Sequence, residues 1–150
     1  MSLNERIAAD LKEAMKSRDQ ARLDVIRMLK SAIQMAAIEK GGATAVLNDS
    51  EVEAVIRRQV KQRRDSIAGF EKGNRTDLAS KEKSELELLQ TYLPKELTSE
   101  ELGAMIDATI KEVGATTKAQ LGSVMKALQP KLAGRADGKT VSQEVGKRLA

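Results

Sequence analysis

Apolar residues recur at three- and four-residue steps through most of the chain, and this spacing limits the possible folds more than any other feature. The pattern is clearest between Thr117 and Leu149, where the apolar side chains of two short segments each fall on one helix face. No stretch alternates Val, Thr and Tyr with polar residues, as a half-buried strand would. The pattern predicts two short helices here, with buried faces formed by Leu121, Val124, Met125, Leu128 and Leu132 and by Val141, Val145 and Leu149.

A compact turn, residues 134–139, separates these two segments and contains two glycines, two cations and one carboxylate. Gly134 lies where the first helix would end with a left-handed residue, and Asp137 lies where the second would be N-capped. Gly138 would let the backbone approach a partner closely. Two interpretations stay open, because the turn can be a rigid structural connection, a surface that presents its cations to RNA, or both.

Composition extends the helical prediction to all 150 residues. Ala, Leu, Lys, Glu and Gln are abundant and are good helix formers, whereas Phe70 and Tyr92 are the only aromatic residues. Pro94 ends one helix, because proline cannot donate to the helical hydrogen bonds and restricts the residue before it. We therefore predict an all-α protein with an N-terminal domain of about four helices, residues 1–93, and a C-terminal bundle of about three short helices, residues 94–150.

Several helix boundaries have local signals. Asn48 is followed three residues later by Glu51, and Thr98 is followed in the same way by Glu101, so each pair predicts a capping box at the start of a helix. The fourth helix is expected to begin after Thr76 and to continue to Leu93, the residue before the proline.

The larger apolar residues are assigned to buried faces. Met28 and Met35 lie seven residues apart beside the apolar face of the second helix, and we interpret them as adaptable core residues because this is the commoner role of methionine. Phe70 falls on the apolar face of the third helix and Val113 on that of the fifth. Tyr92 is expected to pack at a helix end with its hydroxyl group hydrogen-bonded.

The residues that are missing exclude several classes of site. Without cysteine or histidine the chain has no thiolate nucleophile, no imidazole base and none of the usual zinc or iron–sulfur ligands, so we expect no metal and no cofactor. No apolar run approaches the ~18–20 residues of a membrane span, and the N-terminus lacks the apolar core of a signal peptide. These features predict a cytoplasmic protein that does not enter a membrane.

The formal net charge of +4 permits a nucleic-acid partner, which would then depend on local clusters of cations. The third helix contains the densest cluster, with Arg57, Lys61 and Arg64 beside the apolar stripe. This cluster is either a ridge that follows phosphates or a solvated face balanced by neighbouring acids. Arg63 falls on the apolar stripe itself, so we expect it to reach solvent or to form an ion pair.

The C-terminal stretch contains the second group of cations. Lys126 lies opposite the apolar face of its helix and should be exposed, whereas Lys118 and Lys131 flank that face. Arg135 and Lys139 lie in the turn, where Arg135 can instead pair with Asp137 or Glu144. Near-absence of aromatic residues argues against recognition of single strands by stacking. The candidate RNA-binding residues are therefore Lys118, Lys126, Lys131, Arg135, Lys139, Arg57, Lys61 and Arg64.

Several segments, taken together, resemble the GatB/YqeY family. They are Tyr92-Leu93-Pro94, FEKGNRTDLASKE, LGSVMKAL, GRADGKTVSQEVGKRL and the helix start at 47–52. The whole chain is similar to the stand-alone YqeY-like members, and residues 97–150 are similar to the C-terminal domain of the B subunit of the glutamine-dependent aminoacyl-tRNA amidotransferase. The hexad 134–139 is the most specific part of the match.

This resemblance implies an all-helical appendage that contacts the outer elbow of tRNA, and we expect a tRNA-binding accessory module without its own catalytic centre. DNA is not expected as a partner. The alternative is a protein-interaction module that docks on a synthetase, an amidotransferase or another helical partner in translation or aminoacylation. A carbon–nitrogen ligase that uses glutamine as amido donor, acting as part of a complex, is a third possibility. No Gly-rich phosphate-binding loop of the GxxxxGKS type is present, so isolated activity is not expected.

Overall fold

The computed structural model describes every residue from Met1 to Ala150 and contains only helices, which confirms the all-α prediction. The chain divides into two compact units, Met1–Leu93 and Pro94–Ala150. None of the helices combines the length and apolar character that a membrane crossing requires. The N-terminal unit contains α1 (Leu3–Ser17), α2 (Gln20–Gly41), α3 (Asp49–Lys72) and α4 (Thr76–Gln90), and the C-terminal unit contains α5 (Ser99–Val113), a 3-10 turn (Lys118–Gln120), α6 (Leu121–Leu132) and α7 (Gly138–Arg148).

Local side-chain caps fix where the helices of the N-terminal unit begin. The Asn48 side chain accepts from the Glu51 amide, and the Glu51 carboxylate accepts from the Asn48 amide, so the predicted capping box is confirmed. A second capping box joins Ser2 and Glu5 at the start of α1, and Asp19 caps α2. Apolar faces of all four helices then form one core, whose most deeply buried members include Ile7, Ile26, Leu29, Val52, Ile56 and Leu89.

A buried arginine links α3 to α4. Arg63 is only 6% exposed, and its guanidinium group forms ion pairs with Glu82, at 3.1 Å, and with Glu85. Its Nε atom has no hydrogen-bond partner. The sequence placed Arg63 on the apolar stripe and required it to reach solvent or to pair. Pairing is the outcome, because two carboxylates from the facing helix compensate the buried charge.

The N-terminal unit ends in a tight turn rather than a long helix. We predicted that α4 continues to Leu93, but it ends at Gln90. The next three amides donate to carbonyls three residues back rather than four, the last of these bonds running from the Leu93 amide to the Gln90 carbonyl. These tighter hydrogen bonds form a turn that ends the helix before Pro94. Phe70, which was predicted to be buried, is only half-buried near the end of α3.

Tyr92 packs within this turn, as its sequence position predicted. It is only 4% exposed, and its hydroxyl group donates a hydrogen bond to the Asp10 carboxylate. The Arg6 guanidinium lies 4.8 Å from the centre of its ring and also donates to the Thr91 carbonyl. Burial and the hydrogen bond to Asp10 raise the pKa of the Tyr92 hydroxyl far above its ordinary value of 10.0.

The two methionines of α2 are exposed, so their assignment to the core is wrong. Met28 is 54% exposed and Met35 is 65% exposed. The core of the N-terminal unit covers the opposite side of α2, where Ile26, Leu29 and Ile33 are buried. The physical reason is that the neighbouring helices cover only one arc of α2 and no fifth element of this unit reaches the methionines.

The C-terminal unit closes a small aliphatic core with three helices. Thr98 caps α5 by accepting from the Glu101 amide, but the reciprocal bond of the predicted capping box is absent. Gly114 ends this helix in the left-handed region. Val113 was predicted to face inward but is 37% exposed, because it lies in the last turn beyond the core. The buried residues are Leu102, Ile106, Ala115, Val124, Leu128, Leu132, Val141, Val145 and Leu149.

Arg148 joins the last helix to α5. Its Nε donates to Asp107 at 2.8 Å, and its Nη1 donates to the Glu144 carbonyl and carboxylate at 3.1 and 3.0 Å. A Cβ atom at Gly103 would lie 2.9 Å from the Arg148 guanidinium, so glycine lets this group lie against α5. The end of the chain is also fixed, since the Ala150 carbonyl accepts from the Lys118 amide.

Candidate nucleic-acid interface

The turn after α6 has two consecutive left-handed residues. We predicted that Gly134 ends this helix, but the C-cap is Ala133, whose φ is 47°, and Gly134 follows with a φ of 74°. The Ala133 amide donates to Gln129, and the Arg135 amide donates to Leu132 at 2.8 Å, so the reversal is closed by backbone hydrogen bonds. Glycine is needed at the second position, where a side chain would be strained.

Arg135 holds the turn against the beginning of the C-terminal unit. Its side-chain Nε donates to the Lys95 carbonyl at 2.9 Å, and its own carbonyl accepts from the Leu97 amide at 2.9 Å. The pairing with Asp137 or Glu144 that the sequence allowed is not formed. Arg135 is half-buried, and these two bonds give it a structural role in joining 95–97 to the turn.

The remaining turn residues begin α7. Asp137 is its N-cap, as predicted, and its carboxylate accepts from the Thr140 amide and hydroxyl group, both at 3.2 Å. Gly138 is the first residue of the helix, and a Cβ atom there would meet nothing within 4 Å. Lys139, next in the chain, is exposed. The space around Gly138 is thus open for a partner that approaches the backbone.

Lys131 links α6 to α5. Its Nζ lies 2.6 Å from the Glu112 carboxylate and donates to the hydroxyl group of the buried Thr109 at 3.2 Å. The charge of Lys131 is therefore balanced within the unit. Lys147 is balanced in a similar way by Glu144 at 3.1 Å. The hydrogen bond from Lys147, followed by that from Arg148, holds the pKa of Glu144 below its ordinary range.

Three of the predicted RNA-binding residues keep an exposed charge without an ion pair. Lys118 lies in the 3-10 turn, Lys126 on the outer side of α6, and Lys139 in the first turn of α7. Lys95 and Lys111 are also exposed and unpaired in this unit. Two exposed acids of this unit, Glu100 and Glu101, also form no ion pair and lie in the first turn of α5, where the helix dipole stabilises their negative charge.

Part of the basic cluster of α3 is paired with a neighbouring acid. Arg57 lies half-buried and pairs with Glu53 at 3.1 Å, one turn earlier on the same helix. Arg64 and Lys61 are exposed. Glu51, another acid of this helix, pairs with Lys40 of α2 at 2.7 Å. The ion pairs support the interpretation of a solvated, internally balanced face for part of this cluster.

Sequence reasoning omitted two contacts that organise the C-terminal unit. Arg148 was not proposed, although its four-residue spacing from Glu144 indicates a helical ion pair. Its contact with Asp107, 41 residues away, and the bond from Arg135 to the Lys95 carbonyl, 40 residues away, have no local signal. No group of three or more acids converges in a way that could hold a metal ion.

Comparison with known proteins now places the chain in a family. A family model described as Yqey-like protein matches residues 4–149. The chain belongs to the YqeY-like family. This confirms the resemblance to the stand-alone members, whereas the likeness of residues 97–150 to the amidotransferase B subunit stays a prediction.

Relatives of this YqeY-like chain carry the name Altered inheritance of mitochondria protein 41, mitochondrial. The Eremothecium gossypii protein is 35% identical over 109 residues, which are 71% of this chain and 58% of that protein. The Pyrenophora tritici-repentis protein is 30% identical over 143 residues, 93% of this chain and 77% of that protein. The protein of Saccharomyces cerevisiae strain YJM789 is 30% identical over 139 residues, 92% and 72% respectively. The chain thus spans less than two thirds of the first of these relatives.

The prediction of a cytoplasmic protein is contradicted by these comparisons, because the relatives are named as mitochondrial proteins. That prediction used only the lack of a membrane span and of a signal-peptide core in the sequence. Neither feature distinguishes the cytoplasm from the interior of an organelle.

Proposed function

We propose that this YqeY-like protein is a tRNA-binding accessory module whose C-terminal unit contacts the phosphate backbone. The observation that supports the proposal is the division of cations in that unit. Its two arginines, Lys131 and Lys147 bond to groups within the unit, whereas Lys118, Lys126 and Lys139 keep exposed charges. Unpaired ammonium groups on a folded surface can replace the counterions of phosphates.

The expected recognition is of backbone and shape. Lysine is a point charge on a flexible stem, so it suits phosphate oxygens and does not by itself read the edges of bases. The only aromatic side chains are Phe70 and the buried Tyr92, both in the N-terminal unit, so stacking of single-stranded bases has no platform in the C-terminal unit. A folded RNA such as tRNA, which presents closely spaced phosphates on a defined surface, fits this set of contacts.

The acids of the C-terminal unit argue against a catalytic centre there. Asp107 bonds to Arg148, Glu112 pairs with Lys131, and Glu144 pairs with both Lys147 and Arg148. Asp137 caps α7. Since these four carboxylates already have structural partners, none of the four is poised to transfer protons to a substrate. A carbon–nitrogen ligase activity would therefore need residues other than these four acids.

Titration with tRNA at two salt concentrations tests the proposal. Because the relatives are named as mitochondrial, the probe is total tRNA purified from mitochondria. We expect a dissociation constant of about 10⁻⁴ to 10⁻⁶ M that rises with salt. For three phosphate contacts, the logarithm of the association constant should fall against the logarithm of the salt concentration with a slope of about −2 to −3. The variant Lys118→Ala/Lys126→Ala/Lys139→Ala should bind at least ~10-fold more weakly and with a shallower slope.

The matched control removes three exposed, unpaired lysines from the N-terminal unit, in Lys12→Ala/Lys16→Ala/Lys72→Ala. This control changes the net charge by the same amount, and its dissociation constant for tRNA should stay within about twofold of that of the unaltered protein. Equal losses in the two variants would show that binding depends on net charge alone and would refute the proposed site. Absence of binding at low salt would refute tRNA binding and favour a protein partner in translation or aminoacylation.

A further inference from the structure

The N-terminal unit has an open apolar groove between α2, the start of α1 and the loop that precedes α3. Its volume is about 380 Å³. Ile7, Ile33, Ala37 and Leu47 are buried residues that line it, whereas Ile38 and Val46 are 49% and 74% exposed beside them. Such a combination of a buried apolar floor and an exposed apolar rim is typical of a surface that receives another apolar group.

Hydrogen bonds to α1 hold the loop that forms one wall of the groove. The Asn4 side-chain Nδ2 donates to the Leu47 carbonyl at 3.0 Å, and the Leu3 amide donates to the Asp49 carboxylate at 2.9 Å. At the other end of the loop the Gly42 amide donates to the Ile38 carbonyl at 2.9 Å. The groove is therefore part of the folded unit and needs no rearrangement to receive a partner.

An exposed seam with coiled-coil spacing continues from the groove along α2. Its members alternate steps of three and four residues, which is the spacing of the a and d positions of a heptad repeat. Met28, Met35 and Ile38 provide its large apolar side chains. All six members are exposed, and the seam extends about 25 Å along the helix. The six are Ala21, Asp24, Met28, Ser31, Met35 and Ile38.

The charges beside the seam are asymmetric. Lys30 is the only charged residue that lines the groove, and it forms no ion pair. Arg27 lies one turn earlier, adjacent to Met28, and is also exposed and unpaired. Of the acids on this helix, Asp24 accepts from Gln20 at 2.7 Å near the start of the seam, and Glu39 lies on the opposite flank. The groove side of the seam is thus cationic.

We propose that this surface docks an amphipathic helix of a partner protein, with acidic residues along one flank of its apolar stripe. The a/d spacing fits a second helix packed along α2, with apolar knobs entering between Met28, Met35 and Ile38. Acids on the partner's flank meet Arg27 and Lys30, which sets the orientation of the docked helix. A small ligand confined to the groove would leave the methionines uncovered.

A second copy of the chain complements this surface less well. In a two-fold contact the same patch occurs on both molecules, and an antiparallel pair of α2 helices places the flank with Arg27 and Lys30 beside its own equivalent. The acidic flank needed opposite these cations must then come from a different sequence.

Two helix-constrained peptides of about 18 residues, the length of the seam, test the proposal. Both have the same heptad leucines, but one has glutamates on its flank and the other has lysines. Fluorescence anisotropy measures their binding to the full chain at low salt. We expect the acidic peptide to bind at least ~10-fold more tightly than the basic peptide, because only its flank complements Arg27 and Lys30.

Variants at exposed positions locate the contact without disturbing the core. Met35→Ser/Ile38→Ser should weaken binding of the acidic peptide by about tenfold or more through lost apolar contact. Lys30→Glu leaves Arg27 as the only cation of the flank beside a new acid, so it should abolish the preference between the two peptides. Met15→Ser is the matched control, since Met15 of α1 is 53% exposed and lies outside the groove lining, and it should leave binding unchanged.

Three results would overturn the proposal. The first is equal binding of the two peptides, and the second is an equal effect of Met35→Ser/Ile38→Ser and of the control Met15→Ser. The third is self-association of the chain, measured by sedimentation, that Met35→Ser/Ile38→Ser abolishes. This test is independent of RNA binding, because Met35→Ser/Ile38→Ser should bind tRNA as the unaltered protein does. Refutation of tRNA binding would therefore leave the helix-docking proposal intact, and refutation of helix docking would leave tRNA binding intact.

Discussion

The two units both use an arginine to join helices, but they place it in different surroundings. Arg63 of the N-terminal unit is 7% exposed in its side chain and lies between two carboxylates of α4. Arg148 of the C-terminal unit is 30% exposed in its side chain and bridges Asp107 and Glu144. The free energy of an ion pair depends on its exposure, because removal of one partner from a buried site leaves an uncompensated charge. The same residue type is therefore expected to have unequal effects on stability.

Within the C-terminal unit, the two arginines and the three exposed lysines differ in the contacts that they make. Arg135 and Arg148 bond to backbone and carboxylate oxygens of neighbouring elements, and the planar guanidinium group suits such multiple contacts. Lys118, Lys126 and Lys139 make no such contacts. Contacts between elements of this unit thus depend on the two arginines and on Lys131, whereas the proposed binding depends on exposed lysines without an ion pair.

The largest expected effect is the loss of the buried arginine. Arg63→Ala should lower the free energy of unfolding by about 3–5 kcal/mol, because Glu82 and Glu85 would remain close together without a cation. Urea denaturation followed by the fluorescence of Tyr92, the only tyrosine, reports on the N-terminal unit. Arg63→Met/Glu82→Gln/Glu85→Gln should recover most of the loss. If Arg63→Ala lowered the free energy of unfolding by less than about 1 kcal/mol, the ion pairs of Arg63 would behave like surface pairs.

A second buried polar contact of the N-terminal unit should change stability at high pH. The pKa of Tyr92 is raised in the folded state, so the folded protein keeps the hydroxyl proton at pH values where the unfolded chain loses it. This contribution is complete below about pH 10, the ordinary pKa, and is lost as pH rises toward the folded value. Stability should fall by up to about 1.4 kcal/mol per pH unit above pH 10, relative to Tyr92→Phe.

Tyr92→Phe is the control for lysine ionisation in the same pH range, and it should itself cost about 1–2 kcal/mol at neutral pH through loss of the bond to Asp10. The ultraviolet absorbance of tyrosinate reads the ionisation directly, since the chain has one tyrosine and no tryptophan. Ionisation of the folded protein at the ordinary pKa would contradict the buried hydrogen bond.

The smallest expected effect is at the exposed bridge of the C-terminal unit. Arg148→Ala should lower the free energy of unfolding by about 1 kcal/mol or less, because solvent screens ion pairs whose side chains are 30% to 66% exposed. Circular dichroism during urea denaturation measures the change. A loss as large as that of Arg63→Ala would remove the distinction between the two units.

Local signals account for what the sequence predicted well. Asn48 and Glu51 form their capping box within four residues, so the start of α3 needs no information from the rest of the chain. The exposure of Met28 and Met35 could not be predicted in this way, since it depends on how many helices surround α2. Arg63 was recognised as a residue that needs a partner, but the choice of Glu82 and Glu85 depends on how α3 and α4 pack.

Lysine acetylation in the presence and absence of tRNA, read by mass spectrometry, tests the central claim most directly, because it reports on the lysines of both units in one experiment. The claim is that RNA contacts the unpaired lysines of the C-terminal unit. We expect tRNA to protect Lys118, Lys126 and Lys139, while Lys12 and Lys61 of the N-terminal unit stay reactive. Protection of Lys61 with unchanged reactivity of the three C-terminal lysines would contradict the account.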